Sequence, residues 1–230
     1  MIRYIVFDTE TTGLDPFNGD KIIEIGAVEL LDKERSGKTY HQLINPEKKI
    51  SKETTEITHI TDDDVKNQPI FRDIANDFLA FLKQQPNECS KTVLVAHNIS
   101  FDLKFLNHEL KAIGLENLSD FEFIDTIELA HERFPHQKVS LDLLCEKFGI
   151  SLERRKKEGH GALLDSQILV DVFLKLIEGK TTDLLQKDNN IDFNGFSKQQ
   201  KILQSRHFSV SKEELKEHTK FLQDHKIKDF

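Results

Sequence analysis

The chain is poor in cysteine and in long apolar runs. Cys89 and Cys145 are its two thiols in 230 residues, and their spacing matches no paired metal or disulfide pattern. Isolated thiols suit a reducing compartment and are usually buried apolar side chains. No apolar run approaches the roughly 20 residues that a membrane-spanning helix needs, and a strand predicted from residue 2 leaves no room for a signal peptide. We therefore expect a soluble, cytoplasmic protein with no membrane partner.

Positive charge is also in deficit. The 32 lysines and arginines are outnumbered by 40 aspartates and glutamates, which gives a net charge of −8. The field of the whole protein would repel a polyanion. A nucleic-acid partner would therefore have to be held by local basic groups or by metal ions. The apolar fraction of 37% argues against wholesale disorder.

Hydrophobic periodicity predicts alternating strands and helices. Strands are predicted at residues 2–7, 21–31, 37–44, 92–96 and 121–124. Helices are predicted at 70–83, from about 101, and at 126–133, 141–148 and 162–176. The first three strands are closely spaced and predict an antiparallel meander, and the whole pattern predicts an α/β fold with a mixed sheet.

The composition turns polar after Glu178. We predict a first domain over residues 1–178, a linker over 179–196 and a helical tail over 197–230. In the tail, Ser211 with Glu214 three residues later matches a capping box.

Two carboxylates at the end of the first predicted strand carry the strongest chemical signal. Asp8 and Glu10 are two residues apart, so on a strand their side chains point the same way. Burying two carboxylates side by side is costly unless they share a proton or bind a cation. The residues that follow, up to Leu14, turn the chain and leave the pair accessible to a ligand.

Two further segments carry chemically useful residues. Asp102 falls in the first turn of a helix that follows a buried strand, which is a common ligand position in α/β sheets. Its simpler interpretation is that it complements the helix dipole. His160 lies between two glycines that keep it accessible, and Asp165 follows at the start of the last predicted helix. Taken alone, His160 would be read as a surface-loop histidine.

Together, four acids and one histidine indicate a site for two hard divalent cations. Carboxylate oxygens are suitable ligands for magnesium or manganese. Two such ions stabilise the attacking and leaving oxygens of a phosphoryl displacement. A histidine with an ordinary pKa of about 6.5 can deprotonate the attacking water near neutral pH.

Three ordered motifs in this sequence resemble those of the DEDDh exonuclease family. They are Asp8-x-Glu10-Thr11-Thr12-Gly13-Leu14, His97-Asn98-x-x-Phe101-Asp102 and His160-x-Ala162-x-x-Asp165. The resemblance implies a ribonuclease H-like fold, with a mixed five-stranded sheet flanked by helices, and removal of nucleotides from 3′ ends. It also implies that Asp8, Glu10, Asp102 and Asp165 bind metal, and that His160 is the general base of the histidine class.

The same resemblance suggests substrate contacts. Asp8, Glu10 and Asp165 would also touch the substrate. The segment 51–61 aligns Glu53 and Thr58 with the positions that reach the terminal nucleotide, although a shift of one residue would bring in His59 instead.

Two further residues and one basic run are candidates for nucleic-acid contacts. Leu14 would wedge against a base. Phe101 would stack on a base or be a plain core residue. The basic run 154–157 is either a solvated face or a phosphate contact.

The tail resembles the polymerase-binding segment of proofreading subunits in this family. That likeness implies that it binds the synthesising subunit of a replicative DNA polymerase, whereas the alternative is a disordered tail. Lys180 stands where a sliding-clamp motif would begin with glutamine, which puts clamp binding in doubt. The tail lacks tryptophan, and Phe230 would be its aromatic anchor.

The sequence therefore predicts a 3′–5′ exodeoxyribonuclease that proofreads single-stranded or frayed DNA ends. The alternatives are an RNA-trimming enzyme of the same superfamily and a non-catalytic subunit that bridges a polymerase to its partners.

Overall fold

The computed structural model describes residues 1–178, except for the side chains of residues 156 and 158. The predicted linker and tail, including Lys180, Ser211, Glu214 and Phe230, lie outside the described residues. The five strands are β1 (Ile2–Thr11), β2 (Ile22–Leu31), β3 (Glu34–Leu43), β4 (Lys91–Ala96) and β5 (Glu122–Asp125). The helices are α1 (Lys52–Thr58), α2 (Asp62–Val65), α3 (Phe71–Lys83), α4 (Ile99–Ala112), α5 (Thr126–Arg133), α6 (Leu141–Phe148), α7 (Glu153–Glu158) and α8 (Ala162–Leu176), with a short 3₁₀ turn at Pro16–Asn18.

One mixed sheet organises the described residues, with strand order β3-β2-β1-β4-β5. The first three strands form the predicted antiparallel meander, and β4 and β5 run parallel to β1. The carboxyl ends of β1, β4 and β5 therefore meet at one edge of the sheet. Strand order reverses direction between β1 and β4, and ligands of α/β sheets bind at such a point.

Helices cover both faces of this sheet. On one face the apolar side chains of β1, β2 and β4 pack against α5, α6 and α8, and Tyr4 meets Phe173 with ring centroids 5.3 Å apart. On the other face the fully buried Arg3 pairs with Glu29 at 2.5 Å and donates to the last carbonyls of α3. Burying a guanidinium is tolerable here because each of its nitrogens donates to a protein oxygen.

The predicted α/β architecture, a five-stranded mixed sheet flanked by helices, is confirmed. Helices α5, α6 and α8 begin and end where the periodicity predicts. Strand β1 runs on to Thr11 rather than ending at Phe7, because β2 pairs with it along this whole stretch. The helices α1, α2 and α7 were not predicted, and each is at most seven residues long. Segments so short carry too few turns to show a periodic pattern.

None of the helices between residues 1 and 178 is long and apolar enough to cross a membrane.

Candidate active site

The predicted catalytic side chains converge at the sheet edge where β1 ends. Asp8 and Glu10 project from the last residues of β1, and Asp165 from the first turn of α8. Glu10, His160 and Asp165 each place one oxygen or nitrogen within 4.8 Å of the others. Residues from the start and the end of the described chain thus share one site.

Asp102 reaches the same site from the first turn of α4. The turn before this helix is shaped by Asp125 at the end of β5, whose carboxylate accepts from the amides of Asn98 at 3.1 Å and Ile99 at 3.2 Å. Asn98 adopts the left-handed conformation, with φ of 67°. Asp102 is buried, and its Oδ1 accepts a hydrogen bond of 2.7 Å from the hydroxyl of Thr9. This bond fixes the Asp102 carboxylate relative to β1.

The start of α8 is held against β2 by side-chain to backbone hydrogen bonds. Glu24 accepts from the amide of Ala162 at 2.9 Å, and its other oxygen lies 2.7 Å from the ring of His41. Ser166 donates to the carbonyl of Gly26 at 2.9 Å. These contacts lie one turn or less from Asp165, so they set the position of its carboxylate.

The clustered carboxylates are electrostatically unfavourable by themselves. Burial and the charges of Asp102, Glu10 and Asp165 raise the pKa of Asp8 well above its ordinary value. Burial, followed by the charge of Asp165, raises the pKa of Glu10 to about 8. Burial raises the pKa of Asp102 to about 7, against hydrogen bonds that lower it. Such close like charges are relieved either by protons on the carboxylates or by a bound cation.

The donor set fits divalent cations. It consists of carboxylate oxygens from two strand positions and two helix starts, which is the ligand chemistry of magnesium and manganese. Within the described residues, Oδ1 of Asp165 is a buried oxygen with no hydrogen-bond partner. Asp165 therefore has an acceptor available for a metal ion.

A cationic side chain already lies in this acidic site. Nη2 of Arg155, from α7, is 2.7 Å from Oδ2 of Asp165 and 2.8 Å from Nδ1 of His160. Its Nη1 contacts the carboxylate of Asp142 on α6. One residue of the basic run 154–157, which the sequence predicts either to face solvent or to contact phosphate, therefore lies in the site.

The loop that carries His160 rests on the end of α1. The amide of His160 donates to the carbonyl of Ile57 at 3.3 Å. The His59 ring lies over Gly159, where a Cβ would come within 2.5 Å of its Nδ1. Gly159 has φ of 81°, a conformation that other residues adopt rarely. The loop is therefore packed on one side, although the His160 side chain itself is 41% exposed.

The two residues expected to contact substrate, Glu53 and Thr58, both lie on α1. Glu53 is exposed on α1. Thr58 is buried, and its hydroxyl donates to the carbonyl of Thr54 and accepts from the amide of Ile60. Through these bonds Thr58 stabilises the C-terminal end of α1. Its contact with substrate stays a prediction.

Two apolar residues near the cleft differ in exposure. Leu14 is 80% exposed beyond the end of β1. Phe101 is half-buried and packs on Phe105, with ring centroids 5.0 Å apart.

Sequence reasoning missed three residues of this site: Thr9, Glu24 and Arg155. Thr9 lies between the two acids of the first motif. Its hydrogen bond to Asp102 could be recognised only from the fold, because Asp102 is distant in the sequence. Glu24, on β2, lies opposite Glu10 in the β1–β2 ladder. Its signal in the sequence was a polar residue inside an otherwise apolar strand. Arg155 was seen only as part of a charge run.

Comparisons with known proteins show the family to which this chain belongs. The family model described as Exonuclease, RNase_T, matches residues 5–173. A DNA polymerase III subunit epsilon of Rickettsia typhi is 38% identical over 228 residues, covering 96% of each chain. A subunit of the same name from Buchnera aphidicola of Schizaphis graminum is 34% identical and covers 96% of this chain and 95% of its own.

Two solved structures extend the comparison. The structure of exonuclease X in complex with 5′ overhanging duplex DNA superposes with a TM-score of 0.58 at 26% identity, covering 80% of this chain and 97% of that one. The nuclease domain of 3′hExo, a DEDDh family member bound to rAMP, gives a TM-score of 0.64 at 21% identity over 77% of this chain and 91% of its own. The latter likeness shows a shared fold, that of the ribonuclease H-like DEDDh nucleases.

Proposed function

Since the chain belongs to the exonuclease family and, within it, to the epsilon subunits of DNA polymerase III, we propose that its clustered carboxylates and His160 remove the terminal nucleotide from DNA 3′ ends. The chain is a 3′–5′ exonuclease of the proofreading kind. The observation that supports these site residues best is the convergence of Glu10, His160 and Asp165 within 4.8 Å at the end of β1.

We infer that Asp8, Glu10, Asp102 and Asp165 hold two divalent cations, magnesium or manganese. Metal dependence is a property of this family, and the donor set of the site fits it. Bound there, the cations would supply Lewis-acid stabilisation of negative charge on the phosphate oxygens. Thr9 keeps Asp102 in place, and Glu24 keeps the first turn of α8 in place.

The reaction is hydrolysis of the last phosphodiester. A water oxygen bonds to phosphorus while the bond from phosphorus to the preceding 3′ oxygen breaks. The terminal nucleotide leaves as a 5′-monophosphate, and the released 3′ oxygen of the shortened strand takes a proton from solvent to become the new 3′ hydroxyl. His160, whose side chain is partly exposed, is the group that takes the proton of the attacking water on its imidazole.

Replacing His160 with alanine should slow digestion of a 3′-mismatched primer–template by roughly 10²- to 10⁴-fold, the usual contribution of a general base. Single-turnover digestion with Mg²⁺, and with EDTA as the metal-free reference, measures this. His131→Ala is the matched control, because His131 is an exposed histidine on α5. Equal rates for His160→Ala and the parent would reject His160 as the base.

The substrate class follows from the same assay. Matched DNA and RNA oligonucleotides separate a proofreading enzyme from an RNA-trimming one, since a DNA enzyme digests the DNA strand faster. The epsilon relatives favour DNA. A chain without activity on either would favour the bridging role.

We propose that Glu53 and Thr58, rather than His59, contact the terminal nucleotide. The Thr58 hydroxyl also makes hydrogen bonds at the end of α1. A rise in KM for Thr58→Val with unchanged stability would support a substrate contact. A loss of stability with unchanged KM would place Thr58 in the scaffold alone.

The partners follow from the family. We propose that the polymerase III alpha subunit binds the tail, residues 197–230, after a linker at 179–196, while the nuclease domain spans 1–178. A chain ending at residue 178 should keep its nuclease activity and lose co-purification with the alpha subunit. If the shortened chain still binds the alpha subunit, the contact lies on the nuclease domain.

A replication subunit acts where the bacterial chromosome lies, so we propose a cytoplasmic location.

A further inference from the structure

Arg155 occupies a position that the proposed chemistry does not use. Its side chain is 11% exposed, and its guanidinium contacts three groups: the carboxylates of Asp165 and Asp142, and Nδ1 of His160. Two of the three are residues to which we assign metal binding and proton transfer. A permanent cation thus lies beside both of them.

The contact with His160 decides how that ring is protonated. A guanidinium carries only donors, so Nδ1 of His160 must be the acceptor at 2.8 Å. In a neutral imidazole with an unprotonated Nδ1, the proton is on Nε2. Both ring nitrogens are then engaged, one by Arg155 and one by its own hydrogen. In this arrangement His160 has no free lone pair with which to accept a proton from water.

The contact with Asp165 opposes metal binding. Arg155 stabilises the Asp165 carboxylate at 2.7 Å, and a divalent cation bound to the same carboxylate would be repelled by the guanidinium. The screening by water is weak here, because the side chains of both residues are almost fully buried. The Asp165 carboxylate therefore binds a divalent cation less strongly while it is paired with Arg155.

A second anchor allows Arg155 to leave without losing every partner. Its Nη1 contacts Asp142 on α6, which lies outside the carboxylate cluster and is more than half exposed. Arg155 is also the residue whose carbonyl accepts from the amide of Gly159, so it is joined directly to the turn that precedes His160. A movement of α7 would therefore move Arg155 and the loop of His160 together.

We propose that Arg155 is a positioning residue that competes with the divalent metal for Asp165 and holds His160 in a resting tautomer until metal binds. When metal occupies the site, Arg155 gives up Asp165 and His160 and keeps Asp142, which frees the His160 lone pair. The inference rests on the proposed metal site. It adds a residue, Arg155, through which metal binding at Asp165 controls whether His160 has a free lone pair.

Calorimetric titration of the DNA-free, full-length protein with Mn²⁺ tests the competition. Arg155→Gln should bind Mn²⁺ about three- to tenfold more tightly than the parent, where tenfold corresponds to about 1.4 kcal/mol. Arg154→Gln is the matched control, because Arg154 is the exposed neighbour on the same helix, and its affinity should stay within about twofold. Unchanged or weaker binding by Arg155→Gln would overturn the proposal.

An additional variant separates this inference from the proposed function. Asp165→Asn should lose most Mn²⁺ binding. If it binds like the parent, the proposed ligand set is wrong, whatever Arg155 does. If Asp165→Asn fails to bind while Arg155→Gln matches the parent, the ligand set stands and only the competition is rejected.

A spectroscopic measurement on the parent protein does not depend on any variant being folded. The ¹⁵N shifts of the His160 ring should report a protonated Nε2 and an unprotonated Nδ1 in EDTA. Saturating Mg²⁺ should move the Nδ1 signal as Arg155 leaves. A ring that shows the other tautomer in EDTA, or the same Nδ1 signal with and without Mg²⁺, would contradict the proposal.

Discussion

Replacing Asp8 with asparagine should abolish exonuclease activity and at the same time stabilise the metal-free protein. Burial raises the pKa of Asp8, and the nearby charges of Asp102, Glu10 and Asp165 raise it further. An amide of the same shape removes a group that, in the folded metal-free protein, must either stay charged beside the other carboxylates or take up a proton. We expect a gain of about 1 kcal/mol, within the range of single stabilising substitutions. Such a gain corresponds to a rise of about 2–4 °C in the melting temperature of a domain this size.

The loss of activity has a separate cause. Without its charge, position 8 is a weaker metal ligand, and the transition state loses electrostatic stabilisation worth roughly 10²- to 10³-fold in rate or more. Thermal unfolding in EDTA and single-turnover digestion in Mg²⁺ measure the two effects on the same preparation. Glu116→Gln, which neutralises an exposed carboxylate after α4, should change neither. A less stable Asp8→Asn protein in EDTA would show that Asp8 makes a favourable contact and is not under electrostatic strain.

How far the sequence predicts this site depends on whether the signal is local. Asp8 and Glu10 lie near the carboxyl end of a strand, and Asp102 begins the helix after a parallel strand, so local strand and helix patterns were enough to suggest one sheet edge for these three. Asp165 begins a helix that no strand directly precedes, and it was assigned to the site from its motif. The structure brings these residues together at that edge.

The residues that support the site could not be predicted in this way. Glu24 reaches the amide of Ala162 across 138 positions of the chain, and Thr9 reaches Asp102 across 93. Such pairs depend on which face of β2 meets the start of α8, and no window of sequence contains both partners. Arg155 was hidden for another reason: α7 has six residues, so neither its helical state nor its inward face showed a periodic pattern.

The close packing of α8 on β2 makes Gly26 the most sensitive glycine for testing the scaffold. A Cβ at this position would lie 2.1 Å from the amide nitrogen of Leu163 and 2.2 Å from the carbonyl carbon of Ala162. Both atoms belong to backbone that Glu24 and Ser166 hold in place, so the methyl group can be accommodated only if α8 moves away from the sheet. We expect Gly26→Ala to lower the free energy of unfolding by about 3 kcal/mol, the upper range for overpacking.

The same displacement should reduce catalysis in molecules that remain folded. Gly26 is paired with Asp8 in the β1–β2 ladder, and α8 carries Asp165, so moving the helix separates two proposed metal ligands. Urea unfolding and Mn²⁺ titration at a temperature well below the transition measure stability and site geometry separately. Gly37→Ala is the matched control, because a Cβ there meets nothing within 4 Å and the cost comes only from its φ of 87°. That variant should lose about 1–2 kcal/mol and bind Mn²⁺ like the parent. If Gly26→Ala also binds Mn²⁺ like the parent, β2 and α8 can separate locally without disturbing Asp165, and the position of its carboxylate must be set by contacts other than those with β2.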